Sequence, residues 1–197
     1  MKYLNCFLLA LSVFFIGCSK KNDSIVAPPI VDTIPFTTYT ILKGQQYATG
    51  YDSTHFVLIT TSDLKFIARF DSTAIYNIPR QTDVNKLYGF SDNQASHHAY
   101  SARFGWAWAQ NALRIYGYTY NDSIRTIQEL DTVSINKDIN CRIQVDTISK
   151  SYLFTLNGKI TSMPRTAKTQ QAMGYRLYPY FGGQALAPHN VVIKIAE

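Results

Sequence analysis

From residue 37 onward, apolar and polar residues alternate with a period of two, and no helical period persists. The sharpest alternation is Ala99–Tyr120, AYSARFGWAWAQNALRIYGYTY. Strand geometry puts Tyr100, Ala102, Phe104, Trp106 and Trp108 on one face of a first arm, and Ala99, Ser101, Arg103, Gly105 and Ala107 on the other. In the second arm Leu113, Ile115, Gly117 and Thr119 oppose Arg114, Tyr116, Tyr118 and Tyr120. A two-residue turn at Gln110-Asn111 predicts the apolar pairs Trp108–Leu113, Trp106–Ile115 and Phe104–Gly117. It also predicts Ala107–Arg114, Gly105–Tyr116, Arg103–Tyr118 and Ser101–Tyr120 on the opposite side. A slip of one residue would mix the two faces, so the pattern specifies the register.

Shorter alternating runs predict further strands at Thr37–Leu42, His55–Thr60, Leu64–Asp71, Ala74–Asn77 and Val84–Ser91. After the hairpin come Ser123–Leu130, Thr132–Ile135, Ile139–Ile148, Tyr152–Leu156, Lys159–Met163, Tyr175–Phe181 and Asn190–Ile195. Asn157-Gly158 is a strong signal for a tight hairpin turn. Thr166–Met173 is the stretch left for a helical turn or two. A dozen or so strands without crossover helices predict an all-β fold, an antiparallel β-sandwich.

One face of the central hairpin must be core. The other carries Arg103, Arg114, Tyr116, Tyr118 and Tyr120, with Ser101, Gly105 and Ala107 leaving room above the sheet. That face reads either as a ligand-binding trough with aromatic walls and positive charge, or as a second amphipathic layer or Tyr-rich surface. Arg103 over Tyr118 is expected to form a cation–π pair worth roughly 0.5–1 kcal/mol.

Composition narrows the class. The 197 residues include 14 Tyr and 11 Phe, with 46% hydrophobic and 16% charged residues, which fits one strand-rich domain. The net charge of +6 is dispersed; without a basic cluster or a recognition helix, nucleic acid is not expected as a partner. Acidic polymers and anionic head groups suit a basic surface better. Of Cys6, Cys18 and Cys141, none has metal-ligand spacing, and Cys141 falls on the apolar side of its strand as a buried free thiol.

The amino terminus, MKYLNCFLLALSVFFIGC, has a positive residue, then an apolar run too short for an ordinary spanning helix. Phe15-Ile16-Gly17-Cys18 resembles the lipobox of bacterial lipoproteins, with Phe where Leu is usual. The resemblance implies a signal peptide over 1–17, lipidation of Cys18 and anchoring in a membrane. Residues 18–36 then read as the lipidated Cys and a flexible tether stiffened by Pro28, Pro29 and Pro35, and residues 37–197 as the β-sandwich domain. Ser19 after the Cys favours the outer membrane, facing the periplasm or the surface.

The lipobox, the tether and an all-β domain of this size together look like the small concanavalin-like jelly rolls of Gram-negative outer-membrane lipoproteins. The segment Tyr175–His189, YRLYPYFGGQALAPH, is similar to a C-terminal motif of such proteins, one that carries no assigned activity. The resemblance implies a jelly-roll sandwich whose concave sheet binds glycans. The wider class includes lectin-like modules, glycoside hydrolases and polysaccharide lyases.

A paired-carboxylate glycosidase is not expected. The chain has two Glu, Glu129 and Glu197, the second of which is its last residue. Elimination from a uronic-acid polymer needs a cation to neutralise the sugar carboxylate and a base to take the C5 proton. The C4–O bond then breaks as C4=C5 forms, and the leaving oxygen takes a proton. For such a lyase the candidate catalytic residues are Arg103, His98, Tyr118 and Tyr178, although the motif spacings of alginate-lyase jelly rolls are not reproduced. For glycan binding without catalysis the candidates are Arg103, Arg114, Tyr116, Tyr118, Tyr120, Tyr178 and Tyr180. His97 and His98 point oppositely and do not suit one metal, His55 and His189 read as structural, and Asn136, Asp138 and Asn140 read as a polar turn rather than a Ca²⁺ site. No cofactor or metal is expected. Three readings stand: a glycan-binding lipoprotein, a polysaccharide lyase, and an envelope lipoprotein that interacts with another protein.

Overall fold

A computed structural model describes residues 35–78 and 83–197. The expected signal peptide, Cys18 and nearly all of the tether lie outside the described residues. The fold is the expected all-β antiparallel sandwich, here of two six-stranded sheets. Strands β1 (Thr37–Ile41), β12 (Val191–Ala196), β3 (Asp63–Phe70), β8 (Asp138–Asp146), β9 (Ser151–Leu156) and β10 (Lys159–Pro164) form one sheet in that order. The other sheet runs β2 (Leu58–Thr61), β11 (Ala172–Leu177), β4 (Asn85–Ser91), β5 (Ser101–Ala109), β6 (Ala112–Asn121), β7 (Ile124–Val133). Among the described residues, no helix is long and apolar enough to cross a membrane.

The central hairpin is β5–β6, and every predicted pair is present, from Ser101–Tyr120 to Trp108–Leu113. Gln110 and Asn111 have φ of 52° and 58°, and Asn157 and Gly158 have φ of 48° and 89°, the left-handed pair that a tight right-twisted hairpin requires. Phe104, Trp106, Leu113 and Ile115 are fully buried. They meet the other sheet through Phe66–Phe104, Phe104–Phe154 and Phe70–Trp106 ring contacts at 5.6, 5.2 and 5.2 Å. Each such side chain contributes roughly 1.5–3 kcal/mol by leaving water. Gly117 has to be small here, because a Cβ would lie 2.4 Å from Met163 Sδ. Cys141 is a free, buried thiol, as expected.

Three expectations are corrected. Ala74–Asn77 is not a strand: Ser72–Ala74 is a 3-10 turn capped by the Asp71 carboxylate, which accepts from Thr73 N at 2.8 Å, and the local cap outcompetes extension. Ser123–Leu130 and Thr132–Ile135 are one strand, β7, in which a bulge lets Leu130 stay buried between the pairs Ile115–Asp131 and Tyr116–Glu129. Thr166–Met173 forms no helix; its end opens β11, which places Ala172 opposite Thr61.

Candidate functional site

The second sheet turns Arg103, Tyr118 and Tyr120 away from the core. Loops from three directions build walls around them: residues 47–56, the His97-His98 segment, and the chain after β11 through Tyr178 and Tyr180. The result is a cleft of about 340 Å³. Its floor is cationic and its walls are aromatic.

Lys86 reaches this floor through a bulge. β4 pairs Lys86 with Gly105 but Tyr88 with Phe104, so Leu87 is the extra residue. Strict alternation would send Lys86 to the core alongside Tyr88 and Phe90; the bulge sends it to the cleft instead. The Lys86 ammonium donates to the Gly182 carbonyl at 2.5 Å. It lies 5.4 Å from the ring centroids of both Tyr118 and Tyr180. Burial, and then the nearby Arg103 charge, pull its pKa down to about 8.

Arg103 is buried, with 6% of its surface exposed. Its guanidinium carbon sits 4.9 Å from the Tyr118 ring centroid, the predicted cation–π pair. Across the sheet stands Gly89, where a Cβ would lie 2.5 Å from both Arg103 Cα and Cβ. Arg103 Nε finds no hydrogen-bond acceptor, and burial works against the charged form. Among the described residues, no carboxylate forms an ion pair with Arg103 or Lys86. Arg125, opposite Tyr120 on β7, lies beside the Tyr118 phenol and is exposed. Asp52 at the rim has its carboxylate engaged by Thr54 N at 2.8 Å and Thr54 Oγ1 at 2.5 Å.

One end of the cleft is closed by histidines. The backbone N–H of His97 donates to the Tyr175 hydroxyl oxygen at 3.0 Å, and that hydroxyl lies 2.7 Å from His97 Nδ1. Burial, then repulsion from Arg103, brings the His97 pKa down to about 4. The ring is therefore neutral at pH 7. The expectation that His97 and His98 point oppositely is corrected: in this turn, which is not a strand, the two rings meet at a tilt with centroids 4.2 Å apart, and His98 meets Tyr120 edge-on at 5.4 Å. Burial, followed by Arg103 and Lys86, lowers its pKa as well.

On another wall His55 packs between Tyr51 and Tyr178, with ring centroids at 4.7 and 5.0 Å. Tyr47 meets Tyr180 edge-on at 4.9 Å. These rings present flat apolar faces next to hydroxyls, a surface suited to sugar rings.

The structure thus brings Arg103, His98, Tyr118, Tyr120, Tyr178 and Tyr180 to one cleft. It does not bring Arg114 or Tyr116. Arg114 pairs with Glu129 at 2.7 Å and hydrogen-bonds Gln110 and the Ala109 carbonyl by the hairpin turn. Tyr116 lines a separate depression beside Trp108 and Tyr76. They share the face with Arg103, but strand length carries them past the cleft's end. Lys86, Arg125 and Tyr51 escaped the sequence reading; for Lys86 the alternation pointed the wrong way, and for Tyr51 no strand signal exists. His55 joins the cleft wall, whereas His189 is structural, its Nε2 2.9 Å from the Thr73 carbonyl. Asp138 is held by Arg69 Nε at 2.5 Å.

No family model and no curated protein matches the sequence. Solved structures with a similar course of chain include the leech intramolecular trans-sialidase complexed with 2,7-anhydro-Neu5Ac. The identity is 11%, covering 83% of this chain and 26% of that one, with a TM-score of 0.41. The CBM40 of Ruminococcus gnavus IT-sialidase bound to α2,3-sialyllactose is 12% identical, covers 83% and 92% of the two chains, and has a TM-score of 0.41. An engineered GH43 glycoside hydrolase with endo-xylanase and exo-arabinofuranosidase activity is 14% identical, covers 86% and 42%, and has a TM-score of 0.37. Likeness at this level assigns neither ligand nor activity to this chain.

Proposed function

We propose that the domain is a glycan-binding β-sandwich that holds saccharide in the cleft over β4, β5 and β6. The observation that carries this reading is the pairing of a cationic floor, Lys86 and Arg103, with walls of tyrosine and histidine rings. Aromatic faces take the C–H surfaces of sugar rings, and the phenols and cations bind their oxygens. Lipidation at Cys18 would hold the domain at the outer membrane on the tether of residues 18–36, a reading supported by Phe15-Ile16-Gly17-Cys18. Incorporation of labelled palmitate that is lost in Cys18→Ser is the expected result; equal labelling of both removes the anchor. For binding, affinity electrophoresis of the full chain in nonionic detergent through polysaccharide-loaded gels is decisive. Retardation over intact polymer supports binding. Free migration in every gel overturns it and favours a protein partner.

A second reading, elimination from a uronic-acid polymer, is favoured by one observation. His98 is pushed toward its neutral, proton-accepting form beside the Arg103 charge that would neutralise a sugar carboxylate. A cleared track in the same gels, with an unsaturated uronate product, would put this reading first.

A further inference from the structure

We propose that the cleft selects acidic saccharides, with the carboxylate of a uronate or similar acidic sugar bound by Lys86 and Arg103. The inference rests on the glycan-binding reading and goes beyond it by naming the group that is recognised. Two cations, each less than a tenth exposed, share the floor. Both lie over one phenol ring, that of Tyr118, at 5.4 and 4.9 Å from its centroid. Buried charges are ordinarily paired, because an unpaired one forfeits its hydration without return. Among the described residues no ion pair joins a carboxylate to Arg103 or Lys86, and at Lys86 the favourable Asp83 charge is outweighed by burial and by Arg103. Of the other two cleft arginines, Arg176 is paired with Glu197. Arg125, beside the Tyr118 phenol, is exposed and keeps its hydration. Asp52, at the rim, is exposed, and one of its carboxylate oxygens accepts from Thr54 N and Oγ1. A neutral sugar would leave the Arg103–Lys86 repulsion larger than the Asp83 attraction; a carboxylate offsets that repulsion and gives the Arg103 fork an acceptor.

One feature of the strand pairing serves this arrangement. The Leu87 bulge turns a lysine out of the core and onto the same floor as Arg103.

The test compares retardation of the full chain in nonionic detergent by polygalacturonate, alginate and hyaluronan with retardation by each polymer after carboxyl reduction, which leaves the backbone sugars neutral. The expected result is retention by at least one acidic polymer and about tenfold or greater weakening on its reduced form, as loss of a charge-assisted contact predicts. Equal retention by acidic and reduced forms overturns the inference while leaving the glycan reading intact. No retention by any polymer, neutral or acidic, overturns both. Lys86→Met is expected to weaken retention by the acidic polymer about tenfold. A second measurement needs no variant: the Arg103 Nε–H resonance should shift on addition of the retained polymer's oligosaccharide, and an unmoved resonance with binding intact overturns the assignment of Arg103.

Discussion

Gly89 stands directly across from Arg103 in the β4–β5 pairing, and a Cβ there would lie 2.2 Å from the Ala102 carbonyl oxygen and 2.5 Å from Arg103 Cα and Cβ. The obstruction is backbone, which cannot step aside, so the two strands or the Arg103 side chain must move. Gly89→Ala is therefore expected to cost about 1–3 kcal/mol of stability, the usual range for overpacking. It should also weaken glycan retention while every charge in the cleft remains. A variant that unfolds at the wild-type denaturant midpoint and binds as wild type would show that Gly89 does not set the position of Arg103.

A different pair holds the histidine end. The Asp92 carboxylate is fully buried and accepts from Arg165 Nε at 2.8 Å, from Tyr152 Oη at 2.7 Å and from Met173 N at 3.2 Å. It ties the end of β4 to β9, to the chain after β10 and to β11. Removing the charge from one partner leaves the other buried and uncompensated. Asp92→Asn is thus expected to lose about 3–5 kcal/mol. Urea unfolding with an unchanged slope checks this, and a loss below about 1 kcal/mol would mean that the ring of hydrogen bonds re-forms around the amide.

The reach of sequence reasoning follows from the same geometry. The β5–β6 register was legible because large residues stand opposite small ones, Phe104 opposite Gly117 and Tyr116 opposite Gly105, and any slip would break that match on both faces. The cleft was half legible for the same reason: residues of one face are named by their parity. Parity fails at a bulge. Leu87 and Leu130 each insert one residue, so Lys86 was hidden and β7 was split in two. The reading also could not place the end of the cleft. Arg114 and Tyr116 share Arg103's face, yet Arg114 closes on Glu129 instead. Walls made by residues 47–56 depend on contacts distant in sequence, and no local pattern reports those.

His97 makes an acid-side prediction. Its folded pKa, about 4, lies below the ordinary value of 6.5. Between those values the unfolded chain binds a proton that the folded chain refuses. Stability from this site is therefore full above pH 6.5 and falls as pH drops toward 4. His97→Gln, which keeps a side-chain hydrogen-bonding partner for Tyr175, is expected to flatten that part of the profile. Denaturant midpoints at pH 4.5 and 7 check it; an equal acid-side loss in both proteins assigns the proton elsewhere.

Lys86 makes the opposite edge testable, and here stability and binding should move in opposite directions. Its folded pKa of about 8 lies below 10.5. From pH 8 upward the folded chain sheds a proton that the unfolded chain keeps, so folding gains stability from this site as pH rises. Tyrosines such as Tyr118 and Tyr180 are raised, chiefly by burial, and they begin to oppose this once unfolded phenols ionise near pH 10. The clean window is therefore about pH 8–10. In it, wild type should gain on Lys86→Met by about 1–2 kcal/mol, after allowance for solvent in the cleft. Retention of an acidic polymer should fall across the same interval, because the ammonium that meets the carboxylate is lost, while retention by Lys86→Met should stay level there. Stability curves and gel retardation measured at pH 7, 8, 9 and 10 separate the two effects. Wild-type retention that does not change through pH 9 would remove Lys86 from the binding site, whatever the stability curve does.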